Sequence, residues 1–175
     1  RGTIVGNVCN AVPSADAAPS LLCLGAKVLC TGSRGERVLD LGEFFSGPGE
    51  TALRGDELVK EIQIPPMEGK GVYMKLSPRS RMDLAVVGVA AFGQVRDGLI
   101  EDIRIGLGAV APTPMRAKES EAWLRGKPIR DEAIQEAARM ASGEAQPIDD
   151  HRGSAGYRRM MVEVLVRRAL TQTLS

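Results

Sequence analysis

Three groups of side chains in this 175-residue sequence have types and spacings that could do chemistry. The first opens the chain, where "GTIVGN" is followed by Asp16. A turn at Gly6-Asn7 would let the backbone approach a ligand and aim its N–H groups at phosphate or carbonyl oxygens, with the Thr3 hydroxyl beside them. Asp16 has the character of an acid that accepts hydrogen bonds from ribose or ribityl hydroxyls. It reads equally well as the N-cap of the helix that follows. The second group is Lys75 in "VYMKLSPRSRMD", a cation on a short strand with Arg79, Arg81 and Asp83 downstream. Lys75 is either a site residue or a solvent-facing lysine. The third is "PIDDHRGS", with the single histidine, His151, beside Asp149 and Asp150. A base oriented by a carboxylate would need the two side chains to converge, and neighbours on an extended chain point apart. His151 is therefore expected in an exposed loop, and Asp150 in a cap or an arginine pair. No third or fourth ligand stands at usable spacing, so no metal site is expected. No residue is assigned a catalytic role.

Composition narrows the classes. With 23 basic and 22 acidic residues the net charge is +1, and no run of Lys or Arg suits a phosphate backbone. Aromatics make up 3% of residues, too few for a base-stacking platform. Nucleic acid is not an expected partner. Apolar runs such as "LAVVGVAAF" fall short of the roughly 20 residues that cross a bilayer, and no secretory leader is visible. The three cysteines fit neither CxxC spacing nor a disulfide framework, which points to buried, inert thiols in a reducing, cytoplasmic compartment.

The elements that must position these residues come in two styles. In the first half a short helix is predicted from Ala17 to Leu24. A hairpin follows, from "AKVLCTG" through Ser33-Arg34-Gly35-Glu36 to "RVLDL". "GEFFSGPGETAL" reads as a loop anchored by Phe44 and Phe45, and "ELVKEIQIP" as a strand stopped by Pro65-Pro66. A boundary near residue 65 divides the chain into 1–65 and 66–175. The second half starts with strands "GVYMKL", "LAVVGVAAFGQV" and "LIEDIRIGLGAV", the last two turning at Asp97-Gly98. Helices follow from Ala117 to Leu124, ended by Gly126, from Asp131 to Ala141, ended by Gly143, and from Ser154 or Gly156 to about Thr171. On the last, Tyr157, Met160, Met161, Val164, Leu165 and Arg168 mark one face, and Arg158, Arg159, Glu163 and Arg167 another. The class is α+β, a three-stranded antiparallel sheet packed against helices.

Five ordered segments together resemble one family, the medium, FAD-binding subunit of the molybdenum hydroxylases, the family of xanthine dehydrogenase and aerobic carbon monoxide dehydrogenase. They are "GTIVGNVCNAVPSADAAPSLL", "FFSGPGETAL…GDELVKEIQIP", "YMKLSPRSRMDLAVVGVAA", "IRIGLGAVAPTPMRA" and "PIDDHRGSAGYRRMMVEVLVRRAL". The resemblance implies that 1–65 is the C-terminal part of an FAD-binding domain of the PCMH type and 66–175 the family's C-terminal domain. It implies an oxidoreductase subunit that carries electrons by way of FAD to NAD or another acceptor. They would come from a molybdenum-pterin centre in a large partner subunit through [2Fe-2S] clusters in a small one. Position by position, Thr3, Ile4, Val5, Gly6 and Asn7 match the second flavin loop, and Asp16 matches the acid that holds the cofactor. Val59 matches a residue lying against the flavin or adenine, and Lys75 the lysine near the isoalloxazine. Val5 stands where the family has Gly, and a β-branched residue is disfavoured where φ must be positive. The family's first flavin segment has no counterpart here, so the resemblance implies the C-terminal portion of a longer subunit, without tight FAD binding of its own. The alternatives are a cofactor-free domain that docks on partner subunits and a flavin reductase of the cell-wall-precursor type, for which no proton donor stands out.

Overall fold

In the first half, apolar side chains too closely spaced to leave in water fold two short helices over a small sheet. The computed structural model describes residues 2–79 and 83–175, so Arg81 lies outside the described residues. Helices α1 (Ile4–Cys9) and α2 (Ala17–Cys23) precede strands β1 (Lys27–Gly32) and β2 (Gly35–Asp40). The expected loop after them is instead a helical turn, α3 (Leu41–Phe44), and a narrow ribbon of β3 (Phe45–Gly47) and β4 (Glu50–Thr51). Burial of Leu41, Phe44 and Phe45 fixes it, the two rings meeting edge to face at 5.7 Å. Strand β5 (Glu57–Gln63) completes an antiparallel sheet in the order β2-β1-β5. Val28 and Cys30 of β1 meet Leu21, Leu22 and Phe44 in its core.

A bidentate ion pair ties the two outer strands together. Arg37 of β2 donates from Nε and Nη2 to the two carboxylate oxygens of Glu57 at 2.8 Å each, and the Arg54 backbone N–H adds a third bond at 2.8 Å. These donors hold the Glu57 carboxyl down to about 2.

The second half is a meander of β6 (Lys70–Leu76), β7 (Val87–Arg96) and β8 (Leu99–Gly108), extended by a short fourth strand, β9 (Met115–Arg116). The β7–β8 hairpin turns at Asp97 and Gly98, both with positive φ (51° and 74°), the primed geometry that suits the strand twist. One face of this sheet is covered by α4 (Lys118–Leu124), α5 (Asp131–Glu144) and α6 (Ala155–Leu174). The α5 helix runs past Ala141 and through Gly143, which does not stop it.

The buried stripe of α6 differs from the expected one. It consists of Arg158, Val162, Leu165, Val166, Ala169, Leu170, Thr173 and Leu174, whereas Tyr157 and Met160 stand 42% and 58% exposed. Arg158 goes inside because its charge is met there. It pairs with Asp150 at 2.5 Å and donates to the carbonyls of Val86 (3.1 Å) and Ala109 (2.8 Å). Burial pushes the Asp150 carboxyl up, but the Arg152 N–H and the guanidinium groups of Arg158 and Arg152 outweigh it, leaving it well below the usual range. Asp150 is thus the arginine partner expected, and His151 beside it is exposed.

The other face of the sheet is covered by α2, from the first half. Gly106 and Gly108 let the helix lie directly on β8: a Cβ on Gly106 would overlap the Pro19 carbonyl, and one on Gly108 would stand 2.8 Å from Pro19 Cγ. Beneath the helix, Cys23 and Leu24 meet Ala90, Phe92 and Tyr73. Burial there pushes the Cys23 thiol up to about 12, and Sγ donates to the Ala90 carbonyl at 3.5 Å, so the thiol is unreactive.

Two outcomes test this architecture. Gly106→Ala should destabilise the fold by about 1–3 kcal/mol, because a backbone group must move to admit the methyl; chemical denaturation measures it, and an unchanged midpoint would mean that α2 is not seated here. For Glu57 the folded value lies below the ordinary 4.5, so its contribution is complete above that value and is lost as pH falls through about 2. Glu57→Gln should lower stability at neutral pH and flatten its decline across that acid window.

Candidate functional site

Alternation along β6 places Gly71, Tyr73 and Lys75 on the face that α2 covers, with Val72, Met74 and Leu76 turned toward the helical layer. The start of α2 brings Asp16 over the same strand. The Tyr73 phenol donates to Asp16 Oδ1 at 2.9 Å, and Lys75 Nζ donates to Asp16 Oδ2 at 2.7 Å. Lys75 also donates to the Asp83 carbonyl at 2.6 Å. The Asp83 carboxylate in turn accepts from the N–H groups of Arg79 and Leu84, at 2.9 Å each. The Asp16 side chain remains half exposed and that of Lys75 a quarter exposed, so the pair forms part of an accessible surface. Burial, and then the Asp16 charge, push the Tyr73 phenol well above its ordinary value, which keeps it a hydrogen-bond donor at neutral pH. Beside it runs a groove of about 310 Å³ lined by Ser20, Cys23, Leu24, Gly71, Tyr73 and Phe92.

The opening segment adjoins this cluster through Asn7, whose Oδ1 accepts from the Ala17 N–H at 3.2 Å. Asn7 therefore caps α2. Asp16 has helical backbone angles and makes no side-chain cap, because its carboxylate is held by two donors from the sheet. The expected turn at Gly6-Asn7 is likewise replaced, here by the helix α1. Thr3 is its N-cap, with Oγ1 accepting from the Gly6 N–H at 2.9 Å. Val5 sits in that helix, and a helical φ strains no β-branched residue. The N–H groups of Ile4 and Val5, in the first turn, have no intrahelical acceptor. Ile4 itself is exposed.

Val59 is placed differently. It lies on β5 opposite Cys30, with its side chain against the first-half core, and shares no cluster with Asp16. Tyr73, the second donor to Asp16, is the site residue that the sequence reading omits. A signal for it exists, since a residue two before Lys75 on a strand shares its face. Among the described residues no group of three or more His, Cys, Asp and Glu could hold a metal ion, and no helix is long and apolar enough to cross a membrane.

Two family profiles match. Residues 1–67 match one described as the FAD binding domain in molybdopterin dehydrogenase, and residues 72–173 one described as the CO dehydrogenase flavoprotein C-terminal domain. The glyceraldehyde dehydrogenase medium chain of Sulfolobus acidocaldarius is 36% identical over 98% of this chain and 61% of its own length. The carbon monoxide dehydrogenase medium chain of Afipia carboxidovorans is 34% identical over 97% of this chain and 59% of its own. Among solved structures, carbon monoxide dehydrogenase from Hydrogenophaga pseudoflava superposes with a TM-score of 0.95 at 34% identity, covering 99% of this chain and 61% of that one. The chain thus spans about three fifths of the length of these relatives.

The charge coupling within the cluster is measurable. Asp16→Asn removes the negative charge facing the Tyr73 phenol, so Tyr73 should ionise at a lower pH. Ultraviolet titration of the phenolate reads this, and an unmoved transition would show that the two side chains do not interact.

Proposed function

Because the chain belongs to the family of FAD-binding medium subunits of the molybdenum hydroxylases, we propose that it forms part of an FAD site and serves electron transfer in an oxidoreductase complex. One observation carries this reading: Asp16, Tyr73 and Lys75, drawn from both halves of the chain, converge at 2.7 and 2.9 Å on a half-exposed carboxylate. The donor set fits a flavin nucleotide. Thr3, Ile4, Val5, Gly6 and Asn7 enter this reading as the match to the family's second flavin loop. Asn7 ties that segment to α2. Asp16 keeps acceptor capacity for ribityl hydroxyls. Lys75 has three ammonium donors, of which two are engaged, by Asp16 and Asp83, among the described residues, and a third can meet a carbonyl or ring nitrogen of the ligand. Val59 packs against the first-half core and shares no cluster with Asp16, so its flavin contact is only what the resemblance implies.

When bound, FAD would supply the redox chemistry, receiving electrons from molybdenum and [2Fe-2S] centres in a large and a small partner subunit and passing them to NAD or another acceptor. The chain's own part is to bind, orient and electrostatically bias. The Lys75 ammonium, fixed between a carboxylate and a carbonyl, favours negative charge developing next to it. We assign residues 1–65 to the flavin-binding portion and 66–175 to the C-terminal portion. Three free cysteines support a reducing, cytoplasmic setting.

Heat denaturation of the complete subunit, purified with its partners, should release FAD, read by its fluorescence; a complex that releases no flavin would favour the docking role instead. Lys75→Gln should make the flavin midpoint potential more negative, since it removes a cation that favours the reduced form. A potential identical to the unaltered complex would remove Lys75 from the site.

A further inference from the structure

Both oxygens of Asp16 already carry a donor from within the chain, and the two donors differ in kind. Lys75 brings a charge that can be spent on either Asp16 or a ligand. Tyr73 brings a neutral O–H whose location is dictated by the sheet. Its ring lies across Gly88, the residue paired with Lys75 on β7: a Cβ there would stand 2.9 Å from the phenol oxygen and 3.5 and 3.6 Å from two ring carbons. A methyl at position 88 would therefore press on the hydroxyl while meeting the ring at ordinary contact distance. Gly88 thus makes the flat seat from which the phenol reaches Asp16.

Resting on the flavin reading above, we infer that Tyr73, seated on Gly88, is a positioning residue that draws the Asp16 carboxylate toward itself and so sets how much of the Lys75 charge is left for the ligand. The reasoning is electrostatic. A carboxylate bonded on both oxygens shares its negative charge between two donors, and with the phenol gone it leans on the ammonium alone. The cation then presents less positive potential to a neighbouring group. Tyr73 touches Asp16 and has no direct role toward the ligand in this scheme, so its effect reaches the flavin through two other side chains.

The test uses the complete complex and three variants. Tyr73→Phe keeps the ring on Gly88 and deletes only the hydroxyl. It should shift the flavin midpoint potential to more negative values and weaken FAD binding by about tenfold, with the thermal midpoint little changed. Gly88→Ala, which displaces the same hydroxyl from below, should reproduce that shift. The double variant should be no worse than Tyr73→Phe alone, because no hydroxyl is left to displace. Unchanged potentials in both single variants, or effects that add in the double, overturn the inference. If the complex holds no flavin, the functional reading fails separately. The coupling is then read from thermal unfolding, where Gly88→Ala should lower the midpoint when Tyr73 is intact and leave it unmoved when combined with Tyr73→Phe; equal losses in both backgrounds overturn it.

Discussion

The close seating of α2 on the second sheet is the constraint on which the remaining structure depends. A helix presents side chains around its whole circumference, so one short helix can serve two cores at once. Leu21 and Leu22 complete the first core, while Cys23 and Leu24 cover Ala90 and Phe92 of the second. Bare backbone at Gly106 and Gly108 sets the separation, and that separation decides whether Asp16 reaches the phenol and ammonium of β6. A methyl-sized lift of the helix would stretch bonds of 2.7 and 2.9 Å beyond useful length.

Around that contact, carboxylate–guanidinium clamps fasten the elements in addition to the apolar core. Glu121 of α4 is fully buried, accepts from the Ile105 N–H at 2.8 Å, and is gripped by Arg116 at 2.9 and 2.6 Å, so it pins α4 to β8 and β9 together. Arg158 does the same for the segment around Asp150, binding it to the carbonyls of Val86 and Ala109. Arg104 of β8, paired with Asp102 at 3.0 Å, donates to the Cys23 carbonyl at 3.1 Å and so meets the C-terminal end of α2 itself. Such groups persist inside only because every charge has a partner.

Much of the architecture is legible from periodicity and turn chemistry. Alternation locates β1 and β5, strand-length apolar segments locate β6, β7 and β8, and Asp97-Gly98 marks the hairpin, because those signals are local. What escapes a linear reading depends on distant partners. The stripe of α6 is misplaced because a buried arginine looks like a solvated one until its carboxylate is known. Asp16 stands where a cap of α2 should be, and only the sheet reveals that it is already engaged and that Asn7 takes the position instead. The ribbon at Phe45–Gly47 likewise follows from packing against residues far along the chain, whereas the helical backbone at Val5 has a local signal in the Thr3 cap on Gly6. For the site, family resemblance names the side chains, while their convergence, and the contribution of Tyr73, come from three-dimensional placement.

The partners of Asp16 lie 57 and 59 residues further along the chain. Loop closure over such spans is entropically slow, and contacts of this kind form after the hairpins on either side of them. The Asp16 cluster therefore cannot precede the docking of α2: a chain that has paired its strands but not yet seated this helix carries all the right residues and no site.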